Sequence, residues 1–240
     1  DLGRFYDSDY FNIPSNDRLK QLALRQNSKM AAIAPYASGK RLLEIGPGVG
    51  MFAQRAVLDG YQVEVIERDS ACCQYLSDHL GIKAHQSEQP EHTISSLAQH
   101  NVIALWHVIE HLKNPFKLFE AAAANLASGG VLVLGTPNPD AYQFKVMQAA
   151  WPHLDAPRHV HLIPASVLIE KGRTNGLELC RLTTTDADAR SWNRFGWQRL
   201  LMNRLPGKAG AALGFGFGAA LSVLFSPFER AQFAGSAYTL

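Results

Sequence analysis

Three observations predict a doubly wound α/β fold, a mostly parallel sheet with helices on both faces. Short apolar runs alternate with helical periodicity five times between residues 41 and 136, as in parallel sheets built from strand–helix units. The stretch LLEIGPGVG (42–50) sets a glycine loop between the first run and its helix, where such folds bind nucleotide-like ligands. An acid, Glu67, ends the second run 21 residues after Gly46.

The first residues, DLGRFYDSDYFN (1–12), are polar and aromatic and read as an N-terminal arm. Leu19, Leu22, Ala23, Met30 and Ile33 stand at helical spacing, so residues 16–36 hold one or two helices. RLLEI (41–45) is a short apolar run ending at glycines, a buried strand. A helix follows from about Phe52 to Asp59, then a second strand, YQVEVIE (61–67). The helix over 69–80 is closed by Gly81. IKAHQ (82–86) is the third strand and VIALW (102–106) the fourth, with a helix after it through Leu126. SGG (128–130) turns the chain into a fifth strand, VLVLGT (131–136), and PNPDAY (137–142) is a loop. LELCRLTTT (177–185) reads as a sixth strand and GSAYTL (235–240) as a seventh. The expected organisation is one domain: arm and helices over 1–36, a ligand-binding core over 40–185, a mostly helical insertion over 186–234, and the final strand.

Composition narrows the partners. Of 240 residues, 47% are hydrophobic, enough for a sizeable core, and the formal net charge of +2 argues against nucleic acid. Three cysteines, Cys72, Cys73 and Cys180, are an odd number with two adjacent, so a reducing compartment is expected rather than a disulfide framework. No cationic, apolar leader opens the given chain, and the expected location is cytoplasmic. One stretch complicates this. AGAALGFGFGAALSVLF (209–225) carries no charge, is rich in Gly and Ala, and is slightly short for a bilayer span. A buried or oligomer-facing helix is the first reading; peripheral membrane association and a true span are the alternatives.

The glycine loop carries the strongest signal. Its spacing is G-x-G-x-G, not the G-x-G-x-x-G of most dinucleotide sites. Glu44 lies two residues before the first glycine. A pyrophosphate has no use for a carboxylate there, whereas an amino-acid ammonium does. Glu67 suits ribose hydroxyls. A ligand with an adenosine and a cationic amino-acid tail therefore fits better than a nicotinamide dinucleotide.

With these residues the chain resembles the Rossmann-like S-adenosylmethionine-dependent methyltransferases. HVIEHLKNPF (107–116), LASGGVLVLGTPNP (126–139) and LDAPRHVHLIPASVL (154–168) further resemble the ubiquinone-biosynthesis O-methyltransferase group. The resemblance covers about residues 40 to 185. It implies a seven-stranded sheet with the last strand antiparallel. It implies that Glu44, Gly46, Pro47, Gly48 and Gly50 line the methionine half of S-adenosyl-L-methionine, and that Glu67, followed by Arg68, binds ribose. Gln86, Ser87 and Glu88 would lie near adenine, and Trp106 and His107 would face the transferred methyl. Asn101 departs from the aspartate usual at the start of the fourth strand, a position that is more often structural than chemical.

WHVIEHL (106–112) contains H-x-x-E-H, the inverted zinc-protease motif. That motif needs one helix, and here it straddles a strand end. Relatives with E-x-x-E-H hold a divalent ion; His107, Glu110 and His111, completed by His159 or His161, could do the same, with imidazole favouring softer ions. The preferred reading has no metal, with His107 in the methyl-transfer site and Glu110–His111 in the following helix.

Transfer to a hydroxyl needs a base, and histidine titrates near neutrality. His159 matches the resemblance's "R-H" and is the first choice; His107 is the second. His153, Arg158, His161 and Trp151 are the candidate acceptor-binding residues, with Trp192, Phe195 and Trp197 nearby. The expected activity is S-adenosylmethionine-dependent O-methylation of a small-molecule, lipid-like or glycan hydroxyl. The alternatives are a nicotinamide-dependent oxidoreductase and a non-catalytic cofactor-binding module. The sequence leaves the oligomeric state open.

Overall fold

Local signals place the first elements. A computed structural model describes residues 12–240; the expected arm lies almost wholly outside the described residues. Ser15 caps α1 (Asn16–Leu24) by accepting from the Arg18 amide, and α2 (Asn27–Ile33) follows. The core elements then alternate: β1 (Arg41–Ile45), α3 (Met51–Leu58), β2 (Gln62–Glu67), α4 (Ser70–Leu80), β3 (Lys83–Gln86), α5 (Pro90–Ser95), β4 (His100–Trp106), α6 (Pro115–Asn125) and β5 (Leu126–Pro137). Asp69 caps α4 through the Cys72 amide, and Gly81 ends it in the left-handed conformation. Pro115 opens α6, where its missing N–H costs nothing.

The strand order is β3-β2-β1-β4-β5-β6, with β6 (Ala237–Thr239) antiparallel to β5. β2 and β4 both pair with β1 in parallel, and β3 pairs with β2 in parallel. Two compact units divide the chain: one runs through Leu134 and adds Lys171–Glu178, and the other holds Gly135–Glu170 and Leu179–Leu240. In the first unit, Leu42, Phe52, Val102, Ala104 and Trp106 pack with Met30 and Ile33 from α2. Ala53, Val65, Leu76 and Ile82 form a further core cluster.

The second unit holds α7 (Tyr142–Met147), most of α8 (Ala165–Thr174), α9 (Ala187–Arg204), α10 (Gly207–Leu224) and α11 (Ser226–Arg230). Its core is aromatic: Trp151 stacks on Phe144, and Trp197 on Phe225. A buried polar cluster ties α7, α9 and α11 together. Glu229 accepts from Gln143 (2.7 Å) and Trp197 (2.8 Å), and Gln143 also donates to the Asn193 carbonyl.

Among the described residues the sheet has six strands rather than seven. The expected sixth, 177–185, makes one isolated bridge, Thr183 with Thr239. A strand is stabilised by burying one face, yet Leu179 on this segment stays half exposed. The fifth strand starts earlier than expected, running through the SGG turn, with Gly129 at φ 69°. Asn101 is structural: its side-chain oxygen accepts from the Arg41 amide at 3.1 Å, tying the start of β1 to β4.

Candidate cofactor site at the ends of the parallel strands

Register brings four strand ends to one edge of the first unit. Ile45 pairs with Ile66 and with Leu105, and Glu67 pairs with Gln86. The chain runs from β1 to β2 and β3 on one side and continues at β4 on the other. A crevice beyond β1 and β4 is where doubly wound sheets take ligands.

Gly46, Gly48 and Gly50 all have positive φ (67°, 55° and 80°). Two also have no room for a side chain. A Cβ on Gly46 would stand 2.6 Å from Val108 Cγ2, and one on Gly50 would strike Leu76 Cδ2. Gly50 is the N-cap of α3, so the loop delivers the ligand edge directly to a helix N-terminus.

Glu67 braces this loop from below. Its Oε2 accepts from the Gly48 amide at 2.9 Å, and its Oε1 from the amides of Arg68 (2.6 Å) and Asp69 (2.9 Å). Each carboxylate oxygen has two lone pairs, so acceptor capacity for a ligand hydroxyl remains. Ser87 is drawn to the same place, its amide donating to the Glu67 carbonyl at 2.8 Å. The Ser87 hydroxyl accepts from Gln89 N and Thr93 Oγ1. Glu88 and Arg68 are exposed, 4.0 Å apart.

Glu44 is the unusual group. It is 3% exposed, and its Oε2 has no hydrogen-bond partner among the described residues. Burial pushes its carboxyl up to about 8, against the opposing pull of the Lys29 charge and the Ala53 amide, and Glu67 adds to the rise. A buried carboxyl with one oxygen unpartnered is costly unless a ligand completes it. Side chains alternate along a strand, so Glu44 shares a face with Leu42. Leu42 packs in one cluster with Ala104, Trp106 and Phe52. Trp106 meets Phe52 edge-on at 5.5 Å, lies under the Lys29 ammonium at 4.5 Å, and has a buried Nε1 with no partner among the described residues. Lys29 and Val108 are site residues that sequence reasoning missed. Lys29 comes from a helix distant in sequence, and Val108 is an ordinary apolar residue between His107 and Ile109.

His107 turns the chain at the end of β4 with φ 56°, a conformation rare for residues with a side chain. Its Nδ1 lies 3.5 Å from Glu110 Oε1. Glu110 is fully buried. Burial works to raise its pKa, but the nearby His107 imidazole and the charges of His107 and His111 outweigh it, and the net direction is down. Residues 109–111 form a single short 3-10 turn, so H-x-x-E-H does not lie on one α-helix.

The candidate acceptor residues belong to the second unit. Trp151 is 1% exposed. His153 is buried among Trp151, Trp192 and Phe195, at ring distances of 5.0–5.6 Å, with its Nε2 3.1 Å from the Trp192 carbonyl. Arg158 pairs with Asp155 at 2.7 Å. His159 Nδ1 lies 2.8 Å from the His153 carbonyl and its Nε2 3.9 Å from Asp155. His161 is partly exposed.

A mostly parallel sheet with a glycine loop after β1, an acid ending β2 and a buried carboxyl beside the loop is the arrangement of a Rossmann-like, nucleotide-binding type of protein. The profile of the family described as "Methyltransferase domain" matches residues 15–182, and the chain belongs to that family. The ubiquinone biosynthesis O-methyltransferase of Bordetella bronchiseptica is 26% identical over 152 residues, 59% of this chain. The match spans 63% of that relative's length, a little under two thirds. The enzyme of the same name from Azoarcus sp. is 29% identical over 157 residues, covering 61% of this chain and 67% of that one. Among solved structures, a SAM-dependent methyltransferase from Archaeoglobus fulgidus superposes with a TM-score of 0.59 at 14% identity, over 92% of each chain. The [4+2]-cyclase SpnF superposes at 0.54 and 16% identity, over 93% of this chain and 78% of that one. These likenesses establish the fold; that one of the two is called a cyclase shows that the fold alone does not set the reaction.

Proposed function

We propose that the chain is an S-adenosylmethionine-dependent O-methyltransferase acting on a small-molecule hydroxyl, lipid-like or glycan in character. The observation that carries this reading is the buried carboxyl of Glu44, with Oε2 unpartnered among the described residues, beside a loop in which Gly46 and Gly50 have no space for a Cβ. The residues present fit the cofactor: Glu44 for the ammonium, Gly46 to Gly50 for close backbone approach, and Glu67 for ribose. The cofactor supplies an already activated methyl group on a sulfonium. The chain's own residues hold the reactants in line, exclude water and take a proton.

His159 takes the proton. A carbonyl only accepts, so the 2.8 Å contact to the His153 carbonyl places the proton of the neutral ring on Nδ1 and the lone pair on Nε2. The Asp155 carboxylate lies 3.9 Å from Nε2. Arg158 and His161 are the acceptor-facing groups in this reading, whereas Trp151 and His153 are buried in the aromatic cluster. His107 is the second candidate base. Glu110 Oε1 lies 3.5 Å from His107 Nδ1, and the reading uses no metal: a chelator leaves turnover unchanged in an activity assay, and inhibition would restore His107, Glu110 and His111 as ligands.

Calorimetric titration with S-adenosylhomocysteine tests the cofactor assignment. Glu44→Gln and Glu67→Ala each weaken binding by roughly tenfold or more. Unchanged affinity in both variants would overturn it.

A further inference from the structure

The surface least explained by methyl transfer is α10. It is long and apolar enough to cross a membrane by length and composition, yet little of it is buried. A core helix of a soluble domain is mostly buried, so packing does not account for its composition. Leu213, Phe217, Ala220 and Leu224 recur at helical spacing, and all are exposed, Phe217 at 61%. Phe215, Val223, Phe228 and Phe233 are also more than half exposed.

The glycine stripe of α10, about a quarter turn from these residues, is committed to packing. Gly210, Gly214 and Gly218 lie against the backbone of α9 and the residue after it. A Cβ on Gly214 would stand 2.8 Å from Leu201 C and Met202 N, and one on Gly218 would strike Gln198. Gln198 also donates to the Phe215 carbonyl at 3.1 Å. The partner helix exposes Arg190, Arg194, Arg199 and Arg204. A charged helix clamped along one side makes α10 one-sided, suited to lying in a membrane interface and not to spanning it.

The charge around this face is mostly of one sign. From the start of α9 onward the charged side chains are Asp188, Arg190, Arg194, Arg199, Arg204, Lys208, Glu229 and Arg230, and Asp188 in the first turn of α9 accepts from Trp192 Nε1 at 3.2 Å. All six cations are exposed, whereas Glu229 is buried and burial pushes its carboxyl up. We infer that α10, with its basic flanks, docks on the surface of a bilayer carrying anionic phospholipid. The aliphatic and aromatic side chains enter the headgroup boundary, and the arginines and Lys208 meet the lipid phosphates.

Sedimentation of the full chain with phosphatidylcholine vesicles, with and without phosphatidylglycerol, tests this. The chain pellets with the anionic vesicles, and added salt releases it. Leu213→Glu with Phe217→Glu, both at exposed positions, abolishes pelleting while S-adenosylhomocysteine affinity and the thermal transition stay unchanged. Arg194→Ser with Arg199→Ser weakens vesicle binding by about tenfold or more. Failure of the parent chain to pellet with either vesicle would overturn the proposal. A concentration-dependent dimer that the Leu213–Phe217 variant disrupts, with no vesicle binding, would assign the face to a second copy of this chain instead.

Discussion

Glu44 shows how much one buried group can decide. Its carboxyl is raised to about 8 from the ordinary 4.5, with burial as the main cause. Between those values the folded chain keeps a proton that the unfolded chain has released. The group therefore costs stability increasingly as pH climbs from about 4.5 to about 8, and the cost levels off above, on the order of a few kcal/mol. Glu44→Gln flattens that part of the stability–pH curve in urea unfolding at a series of pH values. A cationic ligand reverses the preference. Binding of S-adenosylhomocysteine near pH 7 releases protons, seen as a dependence of the calorimetric enthalpy on buffer ionisation heat, and Glu44→Gln loses the release. His159 makes a different prediction. His159→Gln lowers kcat by about a hundredfold or more, with S-adenosylhomocysteine affinity unchanged; an unaltered kcat would move the base to His107. Glu44 and Glu67 were legible because their spacing from Gly46 is local. The three amides held by Glu67 were not, since a spacing says nothing about which donors a carboxylate satisfies first.

Elements set the next limits. At Gly50 a positive φ and the Leu76 side chain both exclude a Cβ. Gly50→Ala destabilises the chain by about 1–3 kcal/mol in denaturant titrations and weakens cofactor binding with it. Along α10 the glycines divide by face. Gly214→Leu drives a side chain into the α9 backbone and lowers the unfolding midpoint, whereas Gly216→Ala, with open space around it, is neutral or stabilising by up to about 1 kcal/mol. In sequence these glycines are one undivided GAALGFGFG run. Only the packing partner separates the clamped positions from the open ones. The segment 177–185 failed in the opposite way: its β-propensity was real, but the fold offers a ladder partner only at Thr183.

At the scale of the molecule, the units carry different chemistry. The first holds the glycine loop, both acids and the β4 turn; the second holds the aromatic core and the histidine-rich segment. Ligand at about a hundred times its Kd adds about 2.7 kcal/mol to a folded state that alone binds it. S-adenosylhomocysteine therefore raises the thermal transition of the parent chain, and Glu67→Ala removes most of that rise; an equal rise in both would break the link between loop and ligand.

The sequence by itself determined the alternation of elements, the glycine loop, the acids on either side of it, and so the family. These are short-range patterns, dictated by side-chain period and by where only glycine fits. The tertiary structure alone decided that the sheet has six strands, that Lys29 and Val108 border the site, that Trp151 and His153 are buried, and that α10 keeps one face bare. Each depends on which distant segment supplies a partner, a hydrogen bond or a covering surface, and no local pattern encodes that choice.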